Sequence, residues 1–84
     1  MSKYYFEQNR AFRALDRLLM SEIKRNGCVE DYDFHILNLT NTFAVSETAL
    51  RKRIELIAKV NCWTIENTMI ISPEEMKGSD KDEK

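Results

Sequence analysis

The sequence predicts a small α+β domain, mainly α, built from three helices and one β-hairpin. Three observations carry that prediction. Up to Val60, apolar residues recur at three- and four-residue spacing, the period of helices buried on one side. The chain has only two Gly and one Pro, so little interrupts those helices. After Val60, β-branched and bulky residues gather in two short runs, which reads as a hairpin.

The first helix is predicted from about Tyr4 to Asn26. Phe12, Leu15, Leu19 and Ile23 form its apolar stripe, widened by Ala11, Ala14 and Leu18. Arg10, Arg13, Arg17, Lys24 and Arg25 take the remaining surface as a solvated face, and Gly27 offers the left-handed stop that ends many helices. Val29, in the acidic stretch Cys28 to Tyr32, suits a brief strand.

Asp33 then reads as the N-cap of a second helix reaching about Thr42, with Ile36, Leu37, Leu39 and Phe43 as its buried residues. Ser46 caps a third helix through about Val60, with Leu50, Ile54, Ile57 and Ala58 facing inward. Glu47, Thr48, Arg51, Lys52, Glu55 and Lys59 are left outward.

Cys62–Ile65 and Thr68–Ile71 flank Glu66-Asn67 as two strands around a tight turn. On that register Trp63, Ile65 and Ile70 share one face, and Cys62, Met69 and Ile71 the other. Pro73 ends the strand. Residues 1–73 therefore read as one domain, and the mostly charged residues 74–84 as a disordered tail.

Composition narrows the function. A chain of 84 residues supports one small core. Its net charge of −1 means that any nucleic-acid binding must come from local charge rather than a global excess. No apolar run is long enough to span a bilayer, and the N-terminus lacks the apolar segment of a signal peptide, so an intracellular protein is expected. Cys28 and Cys62 make no CxxC pair and His35 is the only histidine. The thiols are expected reduced and partly buried, with no metal and no cofactor. His35 is expected to be a surface or half-buried helix residue. With no nucleophile–base pair, no carboxylate pair in an apolar setting and no phosphate-cradling Gly loop, an enzyme is not expected.

The order helix, short strand, helix, helix, hairpin is that of a winged helix, and one stretch makes the likeness specific. LTNTFAVSETALRKRIELI, residues 39–57, resembles the helix-turn-helix of DeoR-type and related winged-helix regulators. Leu39, Phe43, Val45, Ser46, Leu50, Arg51, Ile54 and Ile57 fall where that pattern has its Leu, Phe, Val, Ser, Ile, first Arg and two following Leu. The bare, single-domain form also resembles the short regulators of archaea, phages and archaeal viruses.

That resemblance implies binding of double-stranded DNA with the third helix in the major groove. The implied contact set is Ser46, Glu47, Thr48, Arg51, Lys52 and Lys59, with Arg51 on a base or phosphate and Lys52 on phosphate. The chain departs from the family at three places. Ala44 stands where many such turns have Gly, and Thr40 where Ala is preferred. The hairpin carries no Lys or Arg between Asn61 and Ser72, and has Glu66 at its tip. The wing is therefore expected to be structural rather than a groove probe.

A single recognition helix makes few contacts, so a homodimer is expected, through Tyr4, Tyr5 and Phe6 at the start of the first helix; the hairpin is the other available surface. The competing function is a winged-helix adaptor that binds protein and not DNA, since the fold serves both ends.

Overall fold

The computed structural model describes residues 3–73, with side chains from Phe6 onward. Helix α1 spans Lys3–Asn26, strand β1 Cys28–Val29, helix α2 Tyr32–Thr42 and helix α3 Glu47–Asn61. Strands β2, Thr64–Glu66, and β3, Met69–Ile71, complete an antiparallel sheet of order β1-β3-β2. This is the expected mainly helical α+β architecture with a winged-helix layout. Among the described residues no helix is long and apolar enough to cross a membrane.

Gly27 ends α1 at φ 81°, a conformation that costs a residue without a β-carbon nothing. Its amide donates to the Ile23 carbonyl, and its own carbonyl accepts from Ser72, which ties the end of β3 to the end of α1. One core results. Ala11, Leu15 and Leu19 of α1, Ile36 and Leu39 of α2, and Leu50, Ile54 and Ile57 of α3 meet Val29 and Ile70 of the sheet, all buried. Phe12, Ala14, Ile23, Phe43, Trp63 and Ile65 pack around them half-buried.

The elements differ from the sequence reading in several places. The cap of α2 is Asp31 rather than Asp33: its carboxylate accepts from the Asp33 amide, and Asp33 stands in the first turn. An acceptor two residues ahead of an orphan N–H serves as well as one at the junction expected from sequence. Leu18 and Leu37 are exposed, because α1 and α2 each turn a narrower face to the core than their apolar stripes suggest. Phe43, expected to be buried, is half-buried at the end of α2.

The hairpin turn is Asn67-Thr68, one residue later than Glu66-Asn67, with Glu66 paired to Met69 and Ile65 to Ile70. Asn67 takes φ 55°, which its short polar side chain tolerates. The register moves by two residues, and two is the side-chain period of a strand, so Ile65 and Ile70 still share the inner face. Cys62 is not in the sheet. It closes α3 in a left-handed conformation at φ 61°, its amide donating to Ala58 and Lys59, and its side chain is exposed rather than partly buried. Both thiols are free, and Cys28 is half-buried.

Leu50 has no exposed surface and sits where α3 meets the shared core. Leu50→Ala is expected to lower the unfolding free energy by about 2–5 kcal/mol, read from urea denaturation. A loss below about 0.5 kcal/mol, the scale of surface substitutions, would show that this side of α3 does not carry the core.

Candidate nucleic-acid interface

The turn between α2 and α3 is built from short-range bonds. Phe43 leaves α2 in extended conformation with its amide on the Leu39 carbonyl, and the Val45 amide donates back to Phe43. Val45 is buried and fills this turn as an apolar plug. The positive-φ residues among those described are Gly27, Cys62 and Asn67, none of them in this turn, so Ala44 in place of Gly is no conflict. Thr40, where a smaller residue was preferred, lines a cleft of about 220 Å³ with Asp33, Ile36, Leu37, Glu47 and Arg51. Its hydroxyl donates to its own helix at Leu37, so its extra polar atom is satisfied.

The start of α1 braces this turn from outside. Arg10 lies over the ring of Phe43 at 5.6 Å and over that of Phe6 at 5.9 Å. The Ala44 amide donates to Glu7 Oε1 at 3.5 Å. Phe6 is otherwise exposed. The side chains of Tyr4 and Tyr5, the rest of the expected dimer surface, lie outside the described residues, as does the tail 74–84.

Ser46 caps α3 as expected, its hydroxyl accepting from the Ala49 amide at 3.1 Å. Glu47 follows at the first helical position, where the helix dipole favours an acidic group. With Leu50, Ile54, Ile57 and Ala58 turned inward, Thr48, Lys52, Glu55 and Lys59 are all exposed. At 100° per residue these four fall on one stripe along the helix. Ser46, Glu47, Thr48, Arg51 and Lys52 are brought together in the first two turns. Lys59 continues the stripe from the last turn, about 10 Å beyond Lys52 at the helical rise.

Arg51 does not stand free. Its Nε and Nη2 both donate to Glu47 Oε2, at 3.2 and 2.8 Å, one turn back on the same helix. Nη2 also lies 2.8 Å from Asp33 Oδ1 on α2. That second contact is an ion pair rather than an aligned hydrogen bond, since the donors are aimed at Glu47 and Asp33 Oδ1 accepts none. The hydrogen bonds with Glu47, and after them the close carboxylate of Asp33, raise the Arg51 pKa further above its already high ordinary value, so the charge is permanent.

Arg53 goes the opposite way. Its Nε and Nη2 grip the two carboxylate oxygens of Asp16 on α1 at 3.2 and 2.7 Å, and its guanidinium lies 5.1 Å over the Phe12 ring. The hydrogen bonds to Asp16 raise its pKa against the cost of burial. Arg53 thus fastens α3 to α1 and leaves the basic count of the exposed face. His35 is likewise half-buried and bonds Glu22 across α1 and α2 at 2.8 Å.

Sequence reasoning missed Asp33 as a partner of Arg51, and Asp16 as a partner of Arg53. Both pairs join different helices, so no local spacing announces them. The Glu47–Arg51 pair is different: four-residue spacing with the acid first is a legible helix pair.

The wing stands apart from this surface in its charge. Its tip presents Glu66 and Asn67, exposed, and no cation. Tyr32 anchors it, with its amide on the Thr68 carbonyl and its hydroxyl donating to the Asn67 carbonyl. Such a wing supports the start of α2.

No protein-family model matches this chain, and neither a curated protein nor a solved structure matches it.

The cap of α3 offers a direct check on how the helix is presented. Ser46→Ala removes the acceptor for the Ala49 amide and is expected to cost about 1 kcal/mol. Ser46→Gly is expected to cost only a few tenths. Equal losses in thermal unfolding would count against the cap.

Proposed function

We propose that this protein binds double-stranded DNA through α3, as a small intracellular transcriptional regulator of winged-helix type acting without cofactor or catalysis. The observation that carries the reading is the division of α3 into two faces. One face is buried in the core, and the other presents Thr48, Lys52 and Lys59 along one exposed stripe behind a capped N-terminus. A helix held on one side by a rigid core and bare on the other is the form that enters a major groove. Lys52 and Lys59 serve as phosphate contacts, Thr48 and Arg51 face base edges, and Ser46 presents the N-terminal amides.

A Glu at position 51 would face Glu47 and Asp33, so the neutral Arg51→Gln is the cleaner partner for Lys52→Glu. That double variant is expected to keep its helical circular dichroism and lose duplex binding by more than tenfold, measured by fluorescence anisotropy. Unchanged affinity would sink the assignment and favour the adaptor reading. One observation favours that second reading. Met20, Leu56 and Val60 are exposed apolar residues lining a cleft of about 220 Å³ between α1 and α3, a surface apt for protein.

We further propose that the protein acts as a homodimer, since one helix with little net charge makes too few contacts for tight binding. The start of α1 is the favoured surface: Phe6 is more than half exposed there. Sedimentation equilibrium at micromolar concentration is expected to return twice the 9.9 kDa chain mass. A monomer mass would refute the dimer, and a dimer surviving deletion of residues 1–6 would move its interface elsewhere.

A further inference from the structure

We propose that Asp33 and Glu47 set how sharply the protein distinguishes its own DNA site from random duplex, by holding Arg51 until a close acceptor replaces them. The inference rests on the DNA-binding reading and names two residues that tune it. Two carboxylates surround the one guanidinium: Glu47 from the same helix and Asp33 from α2. Their charges sum with that of Arg51 to −1, at the end of α3 that would meet DNA. Nε and Nη2 are committed, so Nη1 is the only Arg51 nitrogen without an acceptor among the described residues.

Recognition of guanine by arginine needs two N–H groups side by side. The Nε–Nη2 edge of Arg51 reaches that state only by leaving Glu47, and the Nη1–Nη2 edge only past Asp33 Oδ1, which lies 2.8 Å from Nη2. All three side chains are about half exposed, so these are surface ion pairs, individually weak and screened by salt, although Asp33 Oδ1 itself is shielded. A base edge or phosphate at hydrogen-bond distance therefore displaces them readily. A phosphate passing at longer range meets a site whose nearest charges are net negative. Random duplex, bound by phosphate attraction alone, is penalised more than a site that engages Arg51 directly.

The test measures equilibrium binding of the full chain to two short duplexes. One has random sequence, and the other is enriched from a random pool by the wild-type protein. Glu47→Gln and Asp33→Asn are each expected to tighten random-duplex binding by about fivefold, the size of one exposed ion pair. The slope of log affinity against log salt should steepen by about one as Arg51 gains a phosphate. The ratio between the two duplexes should narrow. Adding Arg51→Gln should remove the gain. Glu30→Gln, the same charge change on an exposed residue outside α3 and away from its exposed stripe, should lack it.

Unchanged or weaker random-duplex binding by Glu47→Gln and Asp33→Asn would overturn the inference and leave the DNA reading intact. So would a gain that Glu30→Gln matches and Arg51→Gln does not cancel. A wild-type chain that binds no duplex and enriches none would instead remove the DNA reading, and this inference with it.

Discussion

Everything exposed on this molecule depends on the inward face of α3. Leu50, Ile54 and Ile57 share one buried core with Leu15 and Leu19 of α1 and the sheet residues Val29 and Ile70, and Ala58 is buried beside them on the same face of α3. A chain this short has one core and no second layer to share the burden. Rotating α3 by one residue, about 100°, would bring charged side chains into that core and apolar ones into water. The rotation of α3 is therefore not adjustable, and neither is the set of residues on its far side. The two β-strands after it serve the same end: Ile65 and Ile70 close the core from below, and the hairpin adds no cation to the surface.

Charge on α3 is distributed by the same geometry. Arg51 and Arg53 are two residues apart, about 200° around the helix, and so lie on opposite flanks. One flank runs beside α2 and meets Asp33, the other beside α1 and meets Asp16. Each arginine finds a carboxylate on its neighbouring helix, and among the described residues only Lys52 and Lys59 remain as cations without an ion pair on α3. The exposed face is close to neutral, in keeping with a chain of net charge −1. Affinity for a polyanion would then rest on fit and hydrogen bonding more than on long-range attraction, which bears on salt dependence as well as on specificity.

The start of α1 has a structural role in the motif. Arg10 between Phe6 and Phe43, and Glu7 on the Ala44 amide, join the N-terminal turns of α1 to the connection between α2 and α3. Through that brace, the surface at Phe6 and the presentation of α3 are mechanically linked. A partner seated at the start of α1 would press directly on the turn that orients α3.

By itself the sequence determined the number and order of the helices, the cap at Ser46, the stop at Gly27 and the inward set on α3. Each is encoded locally, by periodicity or by a side chain within a turn of the backbone group it satisfies. The face assignment of Ile65 and Ile70 was also legible, because a two-residue error in register preserves the alternation. What only the tertiary structure decided was every side-chain pairing between helices. The exposure of Leu18 and Leu37 depends on how wide a face each helix turns to its neighbours. Cys62 became a helix cap because α3 runs to Asn61 before the strand begins. The capture of Arg51 by Asp33, and of Arg53 by Asp16, follows from where α2 and α1 cross α3. Side chains 18 and 37 residues apart in sequence meet only through that crossing, and no local pattern in a single chain records it.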